Sequence, residues 1–287
     1  MTQAARWIRL GLVEPLELHA AYAGLAAAQP ADAAPLLVWA QAKTHLCLGQ
    51  SQGRAELDSG VSVPVVRRPL GGGLVWVDEY QYVFVLIAPK RLMPGRPARW
   101  FAWALSPAVA TYRHFGLPAY LNEQDIWLHG RKIAGSGAAT IGECAVVASS
   151  FLLKFPAERF ADSVAAPSRE FREWLRDGLA LAMTEWAEYG AVPAERELES
   201  VFRARLEAQL GWQFESSWPT GPEQAAVAEA AAELAEPLDE GVPRAVAGGI
   251  KLNAEARLVE RHEGGVVERE LKIGERVRRV RRVAGEE

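Results

Sequence analysis

The sequence predicts an α+β fold: a mixed, mostly antiparallel sheet flanked by helices, with a small β appendage at the C-terminal end. Three observations predict it. Runs rich in Val, Trp, Tyr and Phe crowd the first half of the chain, and such residues fit a pleated, half-buried surface. From Ser168 the apolar residues recur at the period of amphipathic helices. Beyond residue 242 an alternation of period two returns.

Taken in order, residues 6–11 read as a short strand. "EPLELHAAYAGLAAAQ" has helical periodicity, with Leu16, Ala20, Tyr22 and Leu25 near one face, and Pro30 stops it. "PLLVWAQ", "HLCLGQSQ" and "VSVPVVRR" read as strands, the first two joined by a turn at Lys43 and Thr44. "LVWVDEYQYVFVLIAP" gives strand, turn and strand. "PARWFAWALSPAVATYRHFGL" reads as a helix stopped by Gly116, with a kink or break expected at Pro107. "AYLNEQDIWLHGRKIAGSGAAT" predicts a hairpin turning at His129-Gly130, and "CAVVASSFLLKF" a further strand. "SREFREWLRDGLALAMTEWAEYG" and "PAERELESVFRARLEAQLG" are amphipathic helices. "GPEQAAVAEAAAELAEPLDEG" is an Ala- and Glu-rich helix that connects or lies on the surface, and a hairpin turning at Gly264-Gly265 follows.

The 287 residues are 49% hydrophobic and 24% charged, with a formal net charge of -4. A chain this long buries a sizeable core without cross-links, and a mildly acidic balance argues against a general nucleic-acid or membrane-surface binder. Two distant cysteines, Cys47 and Cys144, make no disulfide framework and fit a reducing compartment. The N-terminal stretch carries charges through its apolar pattern, so a secretory signal is not expected. No apolar run approaches a membrane span. A cytoplasmic protein is expected.

Gly71, Gly72 and Gly73 follow Arg67 and Arg68. Successive N–H groups without Cβ atoms can cradle an anion, and the arginines add charge suited to phosphate or carboxylate; a wide turn between strands would look the same. Neither a Walker loop nor a dinucleotide fingerprint fits, because no Gly-Lys-Ser/Thr and no helix follows. Lys132 precedes the small residues Gly135, Ser136 and Gly137, which leave room for a ligand, though taken alone the segment fits a solvated hairpin lysine better. Asp125 is a candidate magnesium or nucleotide contact, or a polar turn residue; Asp78 is open in the same way. His45 and Cys47 share a strand face, and two such ligands make no zinc site. "ERVRRVRRV" reads as a charged edge strand or frayed terminus.

The order of these motifs is more specific than any one of them. "RRPLGGGLVWVD", then "DIWLHGRKIAGSGA", then "VVASSFLL", with "LCLGQSQ" upstream, resembles the lipoate–protein ligase family, whose catalytic domain is shared with biotin ligases and octanoyltransferases. The resemblance spans roughly residues 5 to 215. It implies a biotin/lipoate ligase-like catalytic domain over residues 1–220, a connecting helix over 221–241 and a small accessory β unit over 242–287. It implies an ATP- and Mg2+-dependent reaction: lipoate or octanoate is activated as acyl-AMP, then passed to a lysine of a carrier domain. Nucleotide contacts would fall on Arg68, Gly71, Gly72, Gly73, Leu74, Val75, Trp76, Asp125 and Lys132, with Asp125 also a magnesium contact and Lys132 the catalytic cation. The acyl group would meet Arg67, Gly72, Lys132, Gly135, Ser136 and Gly137.

The sequence departs from that pattern at Val77 and at Ala148, where relatives keep histidines, and at Gln124, where they keep asparagine. Altered acyl or carrier preference, or a degenerate non-catalytic member, would follow from these changes. An acyltransferase working through a cysteine thioester is the other reading, and Cys144 is the thiol near enough in sequence to serve it. A separate accessory subunit could complete the short C-terminal unit.

Overall fold

Apolar side chains in two runs, residues 36–42 and 81–89, alternate toward two faces that are both buried, and this dictates a central sheet covered on each side. The computed structural model describes residues 3–242 and 248–283. Residues 243–247 and 284–287, which belong to the expected accessory unit, lie outside the described residues. The chain runs β1 (Gln3–Val13), α1 (Pro15–Ala28), β2 (Leu36–Ala42), β3 (His45–Leu48), β4 (Val65–Arg67), β5 (Val75–Val77) and β6 (Gln81–Pro89). It continues through α2 (Ala98–His114), β7 (Tyr120–Asn122), β8 (Asp125–Leu128), β9 (Arg131–Ala134), β10 (Ser136–Ile141) and β11 (Cys144–Leu152). Next come α3 (Ala157–Ser163), α4 (Arg169–Ala182), α5 (Glu195–Leu210), β12 (Trp212–Ser216) and α6 (Gly221–Leu234). The last strands are β13 (Ile250–Lys251), β14 (Ala256–Glu263), β15 (Val266–Ile273) and β16 (Arg276–Val283).

The central sheet has the order β10-β11-β6-β2-β1-β12. Its pairs are antiparallel except β2–β1 and β1–β12, which is the mixed, mostly antiparallel sheet the sequence predicts. On one face Trp7, Trp39, Phe84 and Phe151 pack with Phe202 of α5 and Tyr112 of α2. On the other, Ile8, Val38, Val85 and Ile87 meet Tyr22 and Leu25 of α1. The β13-β14-β15-β16 sheet lays Leu252, Leu258 and Leu271 into one core with Phe171 and Leu175 of α4.

Several expectations need correction. The first strand runs from Gln3 to Val13, well beyond 6–11. "HLCLGQSQ" and "VSVPVVRR" shrink to His45–Leu48 and Val65–Arg67. Pro64 has no N–H to donate and only its carbonyl joins the ladder, accepting from Leu46 N at 2.9 Å. Pro107 neither breaks α2 nor stops it. The carbonyl that it deprives of an amide partner is that of Trp103, and the Ser106 hydroxyl donates to it at 3.1 Å. The Ala- and Glu-rich helix lies on the surface as expected, with only Glu223 and Ala230 buried, and it is held there tightly. Glu223 at the start of α6 accepts from Arg6 Nη1 at 2.5 Å and from Gln29 Nε2 at 2.6 Å. Burial works against its charge, yet the Arg6 hydrogen bonds and the Thr220 N–H hold the carboxyl down at about 2.

The α1–α6 contact depends on Gly24. A Cβ there would overlap the backbone N and Cα of Val227 and come within 2.6 Å of the Ala226 carbonyl carbon. Alanine normally stabilises a helix interior over glycine by about 1 kcal/mol. Here the sign should reverse: Gly24→Ala is expected to lose about 1–3 kcal/mol of unfolding free energy through overpacking, measured by urea denaturation, and a rise in stability would contradict this packing.

Candidate functional site

The site begins with a backbone crossing. Residues 71–73 pass over Gly49 so closely that a Cβ on Gly49 would overlap the Gly72 carbonyl oxygen. Gln52, the last residue of the early "GQSQ" stretch, accepts the Gly49 N–H at 2.9 Å. Gly72 takes φ +101°, a conformation glycine adopts without strain.

Arg68 holds the loop from below. It is 8% exposed. Its Nη1 donates to Cys47 O at 3.0 Å, and its Nη2 donates to Gly71 O at 3.0 Å and Gly73 O at 2.8 Å. A trans peptide points its N–H opposite to its carbonyl. The N–H groups of Gly72 and Leu74, in the same peptide units as those carbonyls, therefore point away from Arg68. Among the described residues neither donates to a protein acceptor. Free N–H groups presented together on one side of a loop can bind an anion.

The β8–β9 hairpin supplies the cation. His129 and Gly130 adopt φ +49° and +79°, the left-handed pair a two-residue hairpin turn demands. Lys132 is pinned by its pairing with Trp127 on one side and by Thr184 N donating to its carbonyl at 2.9 Å on the other. Its ammonium lies 3.1 Å from Asp125 Oδ2, with both side chains largely buried. Gly135 makes the space, since a Cβ there would stand 3.0 Å from Lys132 Nζ.

Between loop and hairpin opens a cleft of about 420 Å³, within the range of small-molecule sites. Arg68, Gly72, Gly73, Leu74, Val75, Trp76, Asp125, Lys132, Gly135, Ser136 and Gly137 all line it. Two expected contacts do not. Arg67 turns outward to Asp239 Oδ2 at 2.7 Å, and Gly71 meets Arg68 instead of the cleft. The departures from the family pattern, Val77 and Ala148, line an apolar part of the cleft with Leu18, Val83 and Val85, where Ala148 pairs directly with Val85. The sequence reading missed that residues 249–253, around β13, also line it; a two-residue strand leaves no periodic signal. Asp78 is a turn former, accepting from Trp76 Nε1 at 2.8 Å and Tyr80 N at 2.9 Å.

The donor set does not fit a magnesium ion held by protein carboxylates. Asp125 is committed to Lys132, and no three His, Cys, Asp or Glu side chains converge among the described residues. Neither thiol suits nucleophilic use. Burial pushes Cys144 up to about 11, with Glu143 adding to it. Burial also raises Cys47, whose sulfur faces Arg68 Nη1 at 3.4 Å.

Residues 18–204 match the sequence model of the lipoyl protein ligase A/B catalytic domain. The chain belongs to this family. In structure, the chain is similar to the bipartite lipoate protein ligase of Thermoplasma acidophilum, described with its E2 lipoyl domain, at 17% identity and a TM-score of 0.72 over 80% of this chain and 93% of that one. It is similar to a lipoate-protein ligase A bound with ATP, at 16% identity and 0.68 over 80% and 95%. Similarity to P. falciparum LipL1 in complex with lipoate, at 10% identity and 0.62, extends over 97% of this chain and 85% of that one. At these identities the likeness is one of fold. No curated protein matches the chain in sequence. No helix among the described residues is long and apolar enough to cross a membrane.

Beside the apolar wall lies a buried polar chain. His45 Nδ1 sits 2.7 Å from Lys43 O, an acceptor only, so this nitrogen carries the proton. His45 Nε2 then accepts from His19 Nε2 at 3.0 Å, and His19 Nδ1 accepts from the Tyr22 hydroxyl at 3.0 Å. Burial lowers His19 to about 3, with Arg68 adding to it. Burial, then His19, lowers His45 to about 4. Both folded values lie below the ordinary 6.5, so between about pH 4 and 6.5 the unfolded chain binds protons that the folded chain refuses. Stability contributed by neutral histidines is present above that window and is lost as pH falls through it, by at most about 1.4 kcal/mol per pH unit for each histidine. Denaturation at pH 7, 6 and 5 should show this slope, and His19→Phe/His45→Leu should flatten it even where it lowers stability; an unchanged slope would place the proton uptake elsewhere.

Proposed function

We propose that the chain is an ATP-dependent lipoate–protein ligase, acting in the cytoplasm, that activates lipoate or octanoate as acyl-AMP and transfers the acyl group to a lysine of a carrier domain. The observation that carries this reading is Lys132, fixed at 3.1 Å from Asp125 in the space left by Gly135, inside a cleft that also has an apolar wall and unpaired N–H groups. The descriptions of similar structures support it, naming ATP, lipoate and a lipoyl domain.

In the first step a carboxylate oxygen attacks the α-phosphorus of ATP. A P–O bond to that oxygen forms, the bond to the bridging oxygen breaks, and pyrophosphate leaves with the electron pair. Like charge opposes the approach. An ammonium between the two anions favours it, and more so as charge builds in the transition state. The N–H groups of Gly72 and Leu74 orient the phosphates, with Arg68 acting through the loop it holds. The alkyl chain lies along Val77, Val83, Val85 and Ala148. In the second step a carrier lysine amine attacks the acyl carbon, AMP leaves, and the amine loses its proton. Magnesium is expected to accompany the nucleotide. Residues 1–220 form the catalytic domain in this reading, with 221–241 leading to the accessory unit 242–287.

Lipoate-dependent exchange of labelled pyrophosphate into ATP tests the reading directly; no exchange with any acid in a panel would sink it. Lys132→Met is expected to lose roughly 100-fold or more in exchange while unfolding normally. Cys47→Ser and Cys144→Ser should retain exchange, and an acyl-enzyme labile to hydroxylamine that vanishes in either variant would favour the thioester route. Gly49→Ala should displace the glycine loop and weaken ATP binding measured by calorimetry, and wild-type affinity in that variant would argue against the phosphate role of the loop.

A further inference from the structure

The cleft holds too little exchangeable positive charge on its catalytic side. Arg68 is consumed by Cys47, Gly71 and Gly73 carbonyls, and Lys132 is matched by Asp125 at 3.1 Å. Among the described residues lining the cleft, the remaining cation is Lys251, which belongs to β13 of the C-terminal sheet. We infer that Lys251 binds the polyphosphate of ATP during nucleotide activation, which makes the C-terminal sheet a working wall of the site. This rests on the ligase reading above.

Its place is fixed by its neighbours. Leu252 packs against Gly178, where a Cβ would come within 2.7 Å of Leu252 Cδ1. Asn253, 4% exposed, donates to Ala182 O at 2.8 Å. The Lys251 ammonium lies 3.5 Å from Glu123 Oε2, and both side chains are more than half exposed. Such an open pair contributes little, so a phosphate oxygen of higher charge can take the ammonium over. Glu123 sits in the β7–β8 turn, two residues before Asp125. Lys132 and Lys251 are therefore paired to carboxylates at the two ends of one short turn, one from the catalytic body and one from the C-terminal sheet. A polyphosphate laid across that turn meets both.

The test uses the full chain with Lys251→Met, Lys251→Arg and Glu123→Gln, reading ATP affinity, the ATP KM of pyrophosphate exchange, and transfer from chemically prepared lipoyl-AMP to a lipoyl domain. Lys251→Met should raise the ATP Kd and KM about tenfold or more, while transfer from lipoyl-AMP, which has no polyphosphate, proceeds at the wild-type rate. Lys251→Arg should restore most of the affinity. Glu123→Gln, which removes the competing carboxylate, should tighten ATP binding. Wild-type ATP affinity in Lys251→Met overturns the inference and leaves the ligase reading intact. Equal losses in Lys251→Met and Glu123→Gln, or parallel loss of transfer, would make the pair a structural tether and overturn it too. If the wild-type chain itself binds no ATP, both readings fall.

Discussion

The crossing of the glycine loop over Gly49 is the constraint on which the cleft depends. It forces glycine at a strand end, shortens β3, and brings the carbonyls of Gly71 and Gly73 down onto a buried guanidinium. A buried charge without partners costs several kcal/mol. Arg68 avoids that cost by donating to three backbone carbonyls. The same bonds set the opposite polarity on the upper side of the loop, since a peptide unit cannot turn its carbonyl down without turning its N–H up. One arginine thus converts a flexible glycine triplet into an oriented row of donors.

The apolar part of the cleft follows from the central sheet. Val83 and Val85 project from β6 on the face that α1 covers, and Ala148 stands opposite Val85 on β11. Val77 and Ala148, the departures noted in the sequence, add hydrocarbon to this wall. The imidazoles nearby, His19 and His45, are engaged with one another, with Tyr22 and with Lys43 O. They are neutral by burial. In the proposed reaction, acid selection at this end would accordingly rest on shape and apolar contact.

Much of this was legible in the sequence, and for identifiable reasons. Local chemistry read well: His129-Gly130 turns a hairpin, Gly116 follows the end of α2 in a left-handed conformation, and Gly264-Gly265 closes the C-terminal hairpin. The glycine loop and Lys132 were recognisable as a pair because their order matched a family pattern. Contacts made over long sequence separations were not legible. Nothing in "WQFES" announces that β12 pairs in parallel with β1. Nothing in an Ala- and Glu-rich helix announces that its Val227 backbone sits on Gly24. Arg67 and Arg68 are chemically identical, yet only the second bonds to the glycine carbonyls, the first, at the end of β4, turning outward to Asp239. At Pro107 the helix does not break, because a neighbouring serine, and not the backbone, satisfies the carbonyl that the proline stranded.

The seat of α1 has a bearing on how the chain is made. The first strand and first helix are closed by elements some two hundred residues later in the chain, β12 at Trp212–Ser216 and α6 at Gly221–Leu234. Contacts of such separation form late and slow folding. During synthesis the N-terminal segment emerges first, and it must hold an open strand edge and a bare, alanine-rich helix flank until Val227 and its neighbours have left the ribosome. The nascent chain is therefore most exposed to mispairing across that interval, and the docking of α6 is the event that ends it.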